Sequence, residues 1–486
     1  IFSVSLFFKE ISMKIIHISA ECYPVAKVGG LADVVGSLPK YQNKLGFETA
    51  VVMPYYENKF NQNNTYTIVH TTRVEMGDTN YEASVLTLQS SKLGFRLFIV
   101  KIPGLLDREN VYGYPDDSER FLAFQKATLD WFLHLETKPE LVHCHDHHTG
   151  LIPFMMSKAY KYESFSETPS VLTIHNAQYQ GQFSFEKLHY FPEYDLSHSG
   201  LLEWAEQINP LAAAIKCAWK ITTVSPSYLI ELRASANGLE WLLDNEKGKS
   251  SGILNGIDTE VWDPETDPMI SKNFRSNTIV PGKRNNKLFL CDQFELDPNK
   301  PLFVFIGRLV GEKGAELLPE IFETLLKDSE LDLNILVLGS GDTEVEKQLD
   351  TLKAQFKGNY NTYIGYDEKL SHLMYAGADF LLMPSRVEPC GLNQMYALRY
   401  GTLPIVRSIG GLKDTVIDID SKGGFGICHE HTTVADAIHA VKRACDLYQD
   451  QTRFKKIRKQ IMQIDHSWDS AAINYIELYQ SLTHQN

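Results

Sequence analysis

A glycine pair flanked by a lysine and an aspartate stands early in the chain, in the run Lys27-Val28-Gly29-Gly30-Leu31-Ala32-Asp33. Gly29 and Gly30 carry no side chain, so the backbone can approach a ligand closely, and a helix that follows would point free N–H groups at it. Lys27 adds a positive charge suited to a phosphate. A plain strand-to-helix turn has the same composition, so the motif leaves both interpretations open. It is not a dinucleotide fingerprint, because no GxGxxG follows any predicted strand.

A second basic group follows the apolar run 302–306, with Gly307-Arg308 and then Lys313-Gly314. Arg308 offers a bidentate fork and Lys313 a compact charge, and at the start of a helix the two suit a diphosphate. An arginine and a lysine five residues apart are more often a solvated surface pair. Their position directly after a buried strand favours the binding interpretation.

The segment 384–394, PSRVEPCGLNQ, holds the highest density of candidate residues. A Pro-bounded loop presents Glu388, and Gly391-Leu392 are predicted to begin a helix. A carboxylate accepts hydrogen bonds from hydroxyl groups, and free N–H groups at a helix start bind anions, so the pattern suits a sugar nucleotide. The competing interpretation of Glu388 is an acidic residue in the first turn of a helix. Cys390 is interpreted as a small buried apolar residue rather than a nucleophile.

Histidines cluster in the run HCHDHH at residues 143–148. Adjacent residues on a strand point to opposite faces, and zinc ligands usually come in pairs two to four residues apart, so the spacing argues against a metal site. We expect instead that His145 and Asp146 stand at the end of a strand and face a cleft. His175 and Asn176 close the next predicted strand, where a histidine could bond sugar hydroxyls or move a proton, although a lone histidine is more often structural.

Short apolar runs alternate with helical patterns, which is the signature of parallel sheets covered on both faces. Two such series predict an α/β protein of two Rossmann-like domains, at 13–254 and 255–465, and an amphipathic helix within 466–486. Ligands of open α/β sheets bind beyond the carboxyl ends of the strands, so a central cleft faced by both domains is the expected site. The predicted strands are 14–19, 48–53, 95–102, 141–144, 171–174 and 221–224, then 302–306, 333–338, 362–364, 380–383 and 404–406.

The 486 residues include 47 Lys and Arg against 61 Asp and Glu, a formal charge of −14. Nucleic acid is not an expected partner, because its phosphate backbone selects basic faces. Seven widely spaced cysteines without a CxxC pair indicate reduced thiols and a cytoplasmic location. No apolar stretch is long enough to span a bilayer, so no membrane partner is expected. Residues 1–12 lack the features of a signal peptide and are treated as an N-terminal extension without an assigned role.

The motifs, in this order, resemble those of bacterial glycogen synthases and plant starch synthases, the retaining glucosyltransferases of glycosyltransferase family 5. The resemblance implies a GT-B type fold with the active site between its two domains and the last helix crossing back to the first. It also implies transfer of glucose from ADP-glucose to the non-reducing 4-OH of an α-1,4-glucan with retained configuration, without a metal or cofactor. The matching segments are KVGGLADVVGSLPK, HCHDHHTGLIP, TIHNAQYQG, TVSPSY, GILNGIDTEVWDP, IGRLVGEKG, GSGD and YAGADFLLMPSRVEPCGLNQMYALRYGTLPIVRSIGGLKDTV.

The resemblance also implies roles for individual residues. Lys27 matches a lysine near the donor phosphates, with Asp33 beside it. Arg308 and Lys313 match the pair that neutralises the leaving diphosphate. Glu388 matches the essential acid that holds the donor glucose.

Further matches concern the sugar and the acceptor. His175 and Asn176 match residues beside the transferred glucose, and Asp146 matches one near the acceptor. Backbone contacts to the phosphates and the sugar are implied for Gly391 and Leu392. The remaining implied substrate-binding residues are Gly29, Gly30 and Cys390, with Asn255 in the cleft, Tyr114 for sugar contact and Tyr366 for adenine stacking.

Some positions depart from the family pattern. Gly307 stands where Ser is common, Glu312 where Gln is common, and Ala315 where Leu is common. The family's Y-G-x-G-L run is replaced by SANGLEWLL at 235–243, which bears on how the acceptor is handled.

The wider E-x7-E pattern of retaining transferases becomes Glu388 followed by Tyr396, so the motif holds one carboxylate. A double displacement needs a second carboxylate as nucleophile. We therefore favour a front-face reaction in which the leaving diphosphate helps to take the acceptor proton.

Two other functions stay open at this point. One is a related glucosyltransferase that uses UDP-glucose or another acceptor. The other is a non-catalytic sensor of glucan or nucleotide sugar on the same fold, because a fold does not determine a function. An oxidoreductase is disfavoured by the missing GxGxxG and the acidic residue that should follow it. The sequence does not indicate the oligomeric state.

Overall fold

A computed structural model describes residues 14–89 and 92–483, and the extension 1–12 lies outside these ranges. The chain forms two compact units. Among the described residues, the first unit comprises 14–224, 229–256 and 468–483, and the second comprises 225–228 and 257–467. No helix in the described ranges is both long and apolar enough to cross a membrane.

The first unit is built on a nine-stranded sheet in the order β11-β10-β7-β6-β1-β2-β5-β4-β3. Its central strands β6 and β7 are buried along their whole length, as parallel strands covered by helices on both faces are. The strands of this unit are Lys14–Ile18 (β1), Glu48–Pro54 (β2), Tyr66–Met76 (β3), Thr79–Leu88 (β4), Arg96–Lys101 (β5), Leu141–His145 (β6), Ser170–Ile174 (β7), Glu203–Trp204 (β8), Gln207–Ile208 (β9), Lys220–Thr223 (β10) and Ser250–Gly252 (β11).

The hairpin β3–β4 at one edge of this sheet is absent from the predicted strands. It is antiparallel, and Met76 pairs with Thr79 across a two-residue turn. Gly77 has φ +59° in that turn, a conformation that favours glycine. The strands of this hairpin alternate exposed and buried residues, so they lack the solid apolar runs that identified the parallel strands.

Helices flank the first sheet. They are Gly30–Lys44 (α1), Lys59–Asn63 (α2), Asp117–Leu133 (α3), Ile152–Lys158 (α4), Pro210–Cys217 (α5), Pro226–Ala234 (α6) and Glu240–Asn245 (α7).

The second unit has a six-stranded sheet in which every pairing is parallel, in the order β14-β13-β12-β15-β16-β17. Its strands are Leu302–Ile306 (β12), Asn334–Gly339 (β13), Tyr360–Ile364 (β14), Phe380–Met383 (β15), Leu403–Arg407 (β16) and Ile427–His429 (β17). Its helices are Ile279–Gln293 (α8), Leu318–Lys327 (α9), Thr343–Gln355 (α10), Glu368–Gly377 (α11), Asn393–Arg399 (α12), Gly410–Thr415 (α13), Val434–Gln449 (α14) and Gln451–Ile461 (α15).

The last helix, Trp468–Thr483 (α16), packs in the core of the first unit. Trp468, Tyr475 and Tyr479 are buried against residues of β1, α1, β6 and β7. Residues of the helix repeat every three or four positions, so one face is apolar and is covered by this unit.

Both sheets have the Rossmann strand order. In the second unit, β12 and β15 are neighbours, and the chain builds outward from them in opposite directions. The parallel strands of the first unit are arranged in the same way around β1 and β6. Loops that follow these neighbouring strands meet at the same edge of the sheet, and the candidate residues lie on them.

Candidate functional site

Lys313 and Glu388 meet at the carboxyl edge of the second sheet, on the loops that follow β12 and β15. The Lys313 ammonium donates to both carboxylate oxygens of Glu388, at 2.6 and 2.7 Å. Ser385 Oγ donates to Glu388 Oε2 at 3.0 Å. The side chain of Glu388 is 6% exposed and that of Lys313 is 25% exposed. The structure thus brings two predicted site residues into one ion pair that remains accessible from the lysine side.

Backbone contacts hold the two loops together. The amides of Arg386 and Val387 both donate to the carbonyl of Glu312, at 2.8 and 3.1 Å. Gly314 has φ +66°, and a Cβ there would lie 2.4 Å from the carbonyl oxygen of Pro384. A side chain at 314 would therefore push apart the loops that carry Lys313 and Glu388.

A third loop supports Glu388 from behind. Gly410 has φ +47°, and a Cβ there would lie 2.1 Å from the carbonyl oxygen of Glu388. The amide of Gly411 donates to the same oxygen at 3.1 Å. Ser225 Oγ donates to the Pro389 carbonyl at 2.6 Å. These supports do not stand out in the sequence, although the matched segments TVSPSY and RSIGGLKDTV contain them.

Three further candidates of the second unit are Arg308, Tyr366 and Cys390. Arg308 is about half exposed and lies 3.2 Å from Glu312 in an ion pair. Tyr366 is 74% exposed, as a stacking platform for a base would need to be. Cys390 is 4% exposed, in agreement with its interpretation as a buried apolar residue.

The predicted helix start at Gly391-Leu392 is wrong by two residues. Gly391 has φ +73°, outside the helical region, and α12 begins at Asn393. Gly391 has a backbone conformation that glycine adopts readily, and the helix can begin only after this residue.

A buried carboxylate shapes the lysine–glycine loop of the first unit. Glu21 is 3% exposed and accepts hydrogen bonds from the amides of Val28 and Gly29 and, at 2.7 Å, from the Tyr112 hydroxyl. Burial raises the pKa of Glu21, and the two amides and the hydroxyl oppose that effect. Sequence reasoning missed Glu21, because its partners are backbone amides that no motif names.

Lys27 and the glycine pair lie on that loop. Lys27 Nζ lies 2.7 Å from Asp33 Oδ1 and both side chains are partly exposed, so the two predicted residues are paired with each other. A Cβ built on Gly29 or on Gly30 would meet no atom within 4 Å. Neither residue has a positive φ in the range that favours glycine, so the fold itself does not require glycine at these positions.

Asp146 ties together the loops that follow β6 and β7. Its Oδ1 accepts from the amide of His175 at 2.7 Å and from that of Asn176 at 3.4 Å. Asp146 is 7% exposed and has φ +57°, a strained value for a residue with a side chain. Burial raises the pKa of Asp146 to about 7. Asp146 therefore positions the two residues that the resemblance puts beside the glucose.

The expectation that His145 faces a cleft is wrong. Its side chain is fully buried, and its Nδ1 lies 2.9 Å from Nε2 of His175, behind which it packs. β6 extends through His145, and the alternation of a strand turns this residue inward together with His143.

The structure also brings His143 and His145 close to His17 of the neighbouring strand β1, with ligand atoms within 4.8 Å of one another. Spacing along the chain could not reveal this cluster, because strand pairing supplies the third member. Each of the six ring nitrogens already has a hydrogen-bond partner in the protein. A metal ion there would have to displace those bonds, so the arrangement suits a hydrogen-bond network better than a metal site.

Asn255 and Tyr114 complete the first-unit candidates. Asn255 is 6% exposed, and within the described ranges its Oδ1 has no hydrogen-bond partner. Tyr114 packs between Arg108 and Arg120, whose guanidinium carbons lie 4.9 and 4.6 Å from its ring centre. Its hydroxyl accepts from the Asn110 amide, so its contacts are mainly within its own loop.

Known families match both units. Residues 14–245 match the starch synthase catalytic domain, and residues 289–460 match the glycosyl transferases group 1 family. The chain is 54% identical over 473 residues to a glycogen synthase of Flavobacterium johnsoniae, covering 97% of this chain and 100% of the relative. It is 36% identical over 482 residues to a glycogen synthase of Bacillus cereus, covering 97% and 100%.

Solved structures give the same result for the fold. The catalytic domain of starch synthase IV from Arabidopsis thaliana, bound to ADP and acarbose, has a TM-score of 0.88 at 31% identity, covering 98% of this chain and 100% of that one. A sucrose-phosphate synthase from Thermosynechococcus elongatus has a TM-score of 0.63 at 17% identity, covering 98% and 100%, and shares the fold. With a relative 54% identical over its whole length, the chain belongs to the glycogen and starch synthase family and is a glucosyltransferase of GT-B fold.

Proposed function

We propose that the chain transfers glucose from ADP-glucose to the non-reducing 4-OH of an α-1,4-glucan, with retention of configuration. The observation that carries this proposal is the ion pair of Lys313 and Glu388 at the edge of the second sheet. The pair puts a cation for a leaving diphosphate and a carboxylate for sugar hydroxyls within one hydrogen bond of each other. The similarity to a glycogen synthase and to a starch synthase bound to ADP and acarbose supports the same substrates.

The second unit is proposed to bind the donor. Arg308 and Lys313 neutralise the diphosphate, the amides of Gly391 and Leu392 contact it, and Tyr366 stacks on the base. Glu388 accepts hydrogen bonds from the glucose hydroxyls. Binding would draw Lys313 partly away from Glu388, because a phosphate oxygen competes for the same ammonium protons.

The first unit is proposed to bind the transferred glucose and the acceptor. His175 and Asn176 contact the glucose, with Asp146 holding their amides. Gly29 and Gly30 let the donor phosphates approach the backbone, with Lys27 beside them. Asn255 offers a buried amide oxygen that has no partner within the described ranges and can accept from a sugar hydroxyl.

The reaction itself is proposed to be a front-face displacement. The bond from the anomeric carbon to the diphosphate oxygen breaks, the bond to the acceptor 4-oxygen forms, and the acceptor proton passes to the leaving phosphate. The second position of the E-x7-E pattern holds Tyr396, which has no carboxylate to act as a nucleophile. Its ring stacks on Trp262 with centres 3.8 Å apart. Arg308 and Lys313 stabilise the charge that develops on the phosphate, which is often the largest catalytic contribution.

The test measures incorporation of radiolabelled glucose into glycogen, with ADP-glucose and UDP-glucose assayed side by side. We expect incorporation from ADP-glucose that is abolished in Glu388→Gln, a variant of equal size without the charge. Incorporation only from UDP-glucose would replace the donor assignment. A folded protein that binds ADP-glucose and glycogen without transfer would favour the sensor function instead.

A cytoplasmic location is proposed as well. The seven cysteines are free thiols, as expected in a reducing compartment.

A further inference from the structure

A continuous hydrogen-bonded chain, here called the histidine relay, runs from His175 into the interior of the first unit. It includes three imidazoles, a glutamine and a tyrosine, then a fourth imidazole and two threonines, and it ends at a backbone carbonyl. The outer part runs from His175 Nε2 to His145 Nδ1 at 2.9 Å, from His145 Nε2 to His17 Nδ1 at 3.1 Å, and from His17 Nε2 to Gln42 Oε1 at 2.8 Å. The middle part runs from Gln42 Nε2 to Tyr479 Oη at 3.3 Å and from Tyr479 Oη to His143 Nδ1 at 2.6 Å. The inner part runs from His143 Nε2 to Thr173 Oγ1 at 2.6 Å, from Thr173 Oγ1 to Thr222 Oγ1 at 2.5 Å, and from Thr222 Oγ1 to the Leu172 carbonyl at 3.4 Å.

Every imidazole of the relay is neutral at pH 7. Burial lowers the pKa of His17 to about 4 and that of His175 to about 3, and it lowers the pKa of His143 and His145 well below the usual range. The geometry agrees with this state, because two imidazoles that share one N···N contact can place only one proton in it and cannot both be protonated. Each ring therefore donates with one nitrogen and accepts with the other.

Two groups set the direction of the relay: the Leu172 carbonyl, which can only accept, and the Gln42 amide nitrogen, which donates to Tyr479. The Thr222 hydroxyl donates to the Leu172 carbonyl at 3.4 Å, so Thr173 is assigned as the donor to Thr222. Thr173 then accepts from His143 Nε2, which leaves His143 Nδ1 to accept from the Tyr479 hydroxyl.

The same assignment of one donor and one acceptor to each contact extends from Tyr479 to His175. Tyr479 accepts from the Gln42 amide nitrogen, so the amide oxygen of Gln42 accepts from His17 Nε2. His17 Nδ1 then accepts from His145, and His145 Nδ1 accepts from Nε2 of His175.

We propose that the histidine relay holds His175 in the tautomer with its proton on Nε2, so that Nδ1 accepts a hydrogen bond from a hydroxyl group of a bound sugar. Gln42, His17 and His145 are positioning residues in this arrangement, because they act through His175. The part that concerns sugar rests on the proposed function, which places His175 beside the glucose. The tautomer is a property of the protein alone and can be measured without substrate.

The first measurement is the nitrogen-15 spectrum of the full chain with labelled histidine, in which protonated and unprotonated ring nitrogens are well separated. The His175 signals are assigned by their loss in His175→Ala. We expect a proton on Nε2 and none on Nδ1. A proton on Nδ1 of His175 overturns the proposal, whether or not the protein transfers glucose.

The second measurement removes the acceptor at the middle of the relay. Gln42→Met keeps the length of the side chain and cannot accept from His17, whereas Gln42→Glu keeps an oxygen there. The matched control is Gln125→Met, at a glutamine that is 1% exposed in the same unit and bonds to Phe121 and Leu151 instead.

We expect Gln42→Met to give a mixture of His175 tautomers and about a five- to tenfold lower kcat/KM for ADP-glucose, the effect of one weakened hydrogen bond. Gln42→Glu restores most of the loss, and Gln125→Met leaves the tautomer and kcat/KM unchanged. In a His175→Ala background, Gln42→Met has no further effect on kcat/KM. A further fivefold loss in that background would show that Gln42 does not act through His175. Wild-type tautomer and kcat/KM in a folded Gln42→Met protein would also refute the relay.

Discussion

The pairing of Lys313 with Glu388 changes how each residue should be interpreted. Motif reasoning assigned the lysine to the diphosphate and the glutamate to the glucose, as separate contacts. In the structure the two share a bidentate ion pair, with the carboxylate almost buried. Each is therefore also the counter-charge that stabilises the other, and a substitution at one will disturb both activity and stability.

Lys313→Met is expected to lower kcat by about 100-fold or more, because it removes a charge that stabilises the leaving phosphate. It also leaves the Glu388 carboxylate without its cation, which should lower the free energy of unfolding by about 1–3 kcal/mol. The transfer assay and urea unfolding measure the two effects. The double variant Lys313→Met/Glu388→Gln should recover stability and remain inactive. A kcat within threefold of the wild type in folded Lys313→Met would contradict the assignment.

Asp146 should make stability depend on pH. Burial raises the pKa of Asp146 from 3.8 to about 7, so the native state binds this proton more tightly than the unfolded state does. Its stabilising contribution is complete below pH 4 and is lost as the pH rises toward 7.

Asp146→Asn keeps the oxygen that accepts from His175 and cannot ionise. Between pH 5 and pH 8 its free energy of unfolding should rise relative to the wild type by about 3 kcal/mol, the equivalent of two pKa units. Urea unfolding of both proteins at the two pH values measures this difference. The contributions of the other titrating groups are the same in both proteins and cancel. An equal difference at both pH values would show that Asp146 does not titrate in this range.

The loops use glycine for two different physical reasons. At Gly314 and Gly410, backbone oxygen atoms lie where a Cβ would be, and φ is positive, so the loops around Glu388 can assemble only with glycine. At Gly29 the backbone is extended and the space for a Cβ is open within the described residues, so the protein itself would accept a side chain. Beside Lys27, the absence of a side chain at this glycine leaves room for a ligand to approach the backbone closely.

Gly29→Ala is therefore expected to leave the free energy of unfolding within about 0.5 kcal/mol of the wild type while raising KM for ADP-glucose several-fold. Thermal unfolding and steady-state kinetics measure the two. Gly248→Ala is the control, because Gly248 lies outside the proposed sites and a Cβ there also meets no atom within 4 Å. An unchanged KM in Gly29→Ala would remove this loop from the donor site.

Gly410→Ala, in contrast to Gly29→Ala, should lower the stability of the protein. The new Cβ would overlap the carbonyl of Glu388, so the loop must move, and we expect a loss of about 2 kcal/mol or more in unfolding free energy together with reduced kcat. Denaturant unfolding and the transfer assay measure both. Wild-type stability and kcat in this variant would mean that the loop carrying Glu388 is less constrained than its contacts indicate.

At the scale of the whole chain, the first unit is completed by the far end of the sequence. Residues of α16 fill its core, and Tyr479 joins the histidine relay although it lies 336 residues beyond His143. The unit cannot bury this surface until the last helix has been synthesised.

A chain that stops at residue 467 should therefore lose the folded first unit. Trp468, Tyr475 and Tyr479 would no longer cover the core, and removal of several large buried side chains costs far more than the stability of a typical domain can supply. Limited proteolysis should then leave a resistant fragment from the second unit, which keeps all of its strands. A protease-resistant first unit in the truncated chain would contradict this expectation.

Acidic residues lie next to each of the cations proposed to bind phosphate. The three cations assigned to phosphate binding are each paired with a carboxylate of their own unit: Lys27 with Asp33, Arg308 with Glu312 and Lys313 with Glu388. The sequence indicated the cations from glycine-rich loops after strands. Their partners required the structure, because Glu388 lies 75 residues from Lys313.

The amino-acid sequence alone determined the parallel strands and the loops that follow them, because buried strands are apolar runs and their loops carry the unusual glycines, prolines and charges. It therefore predicted β12 and β15 with their observed bounds and Glu388 as a candidate. Only the tertiary structure decided which loops meet, since strand order brings Lys313 to Glu388 and His17 to His145. Periodicity shows which face of a strand is buried, but hydrogen-bond partners distant in sequence are set by how the strands pair.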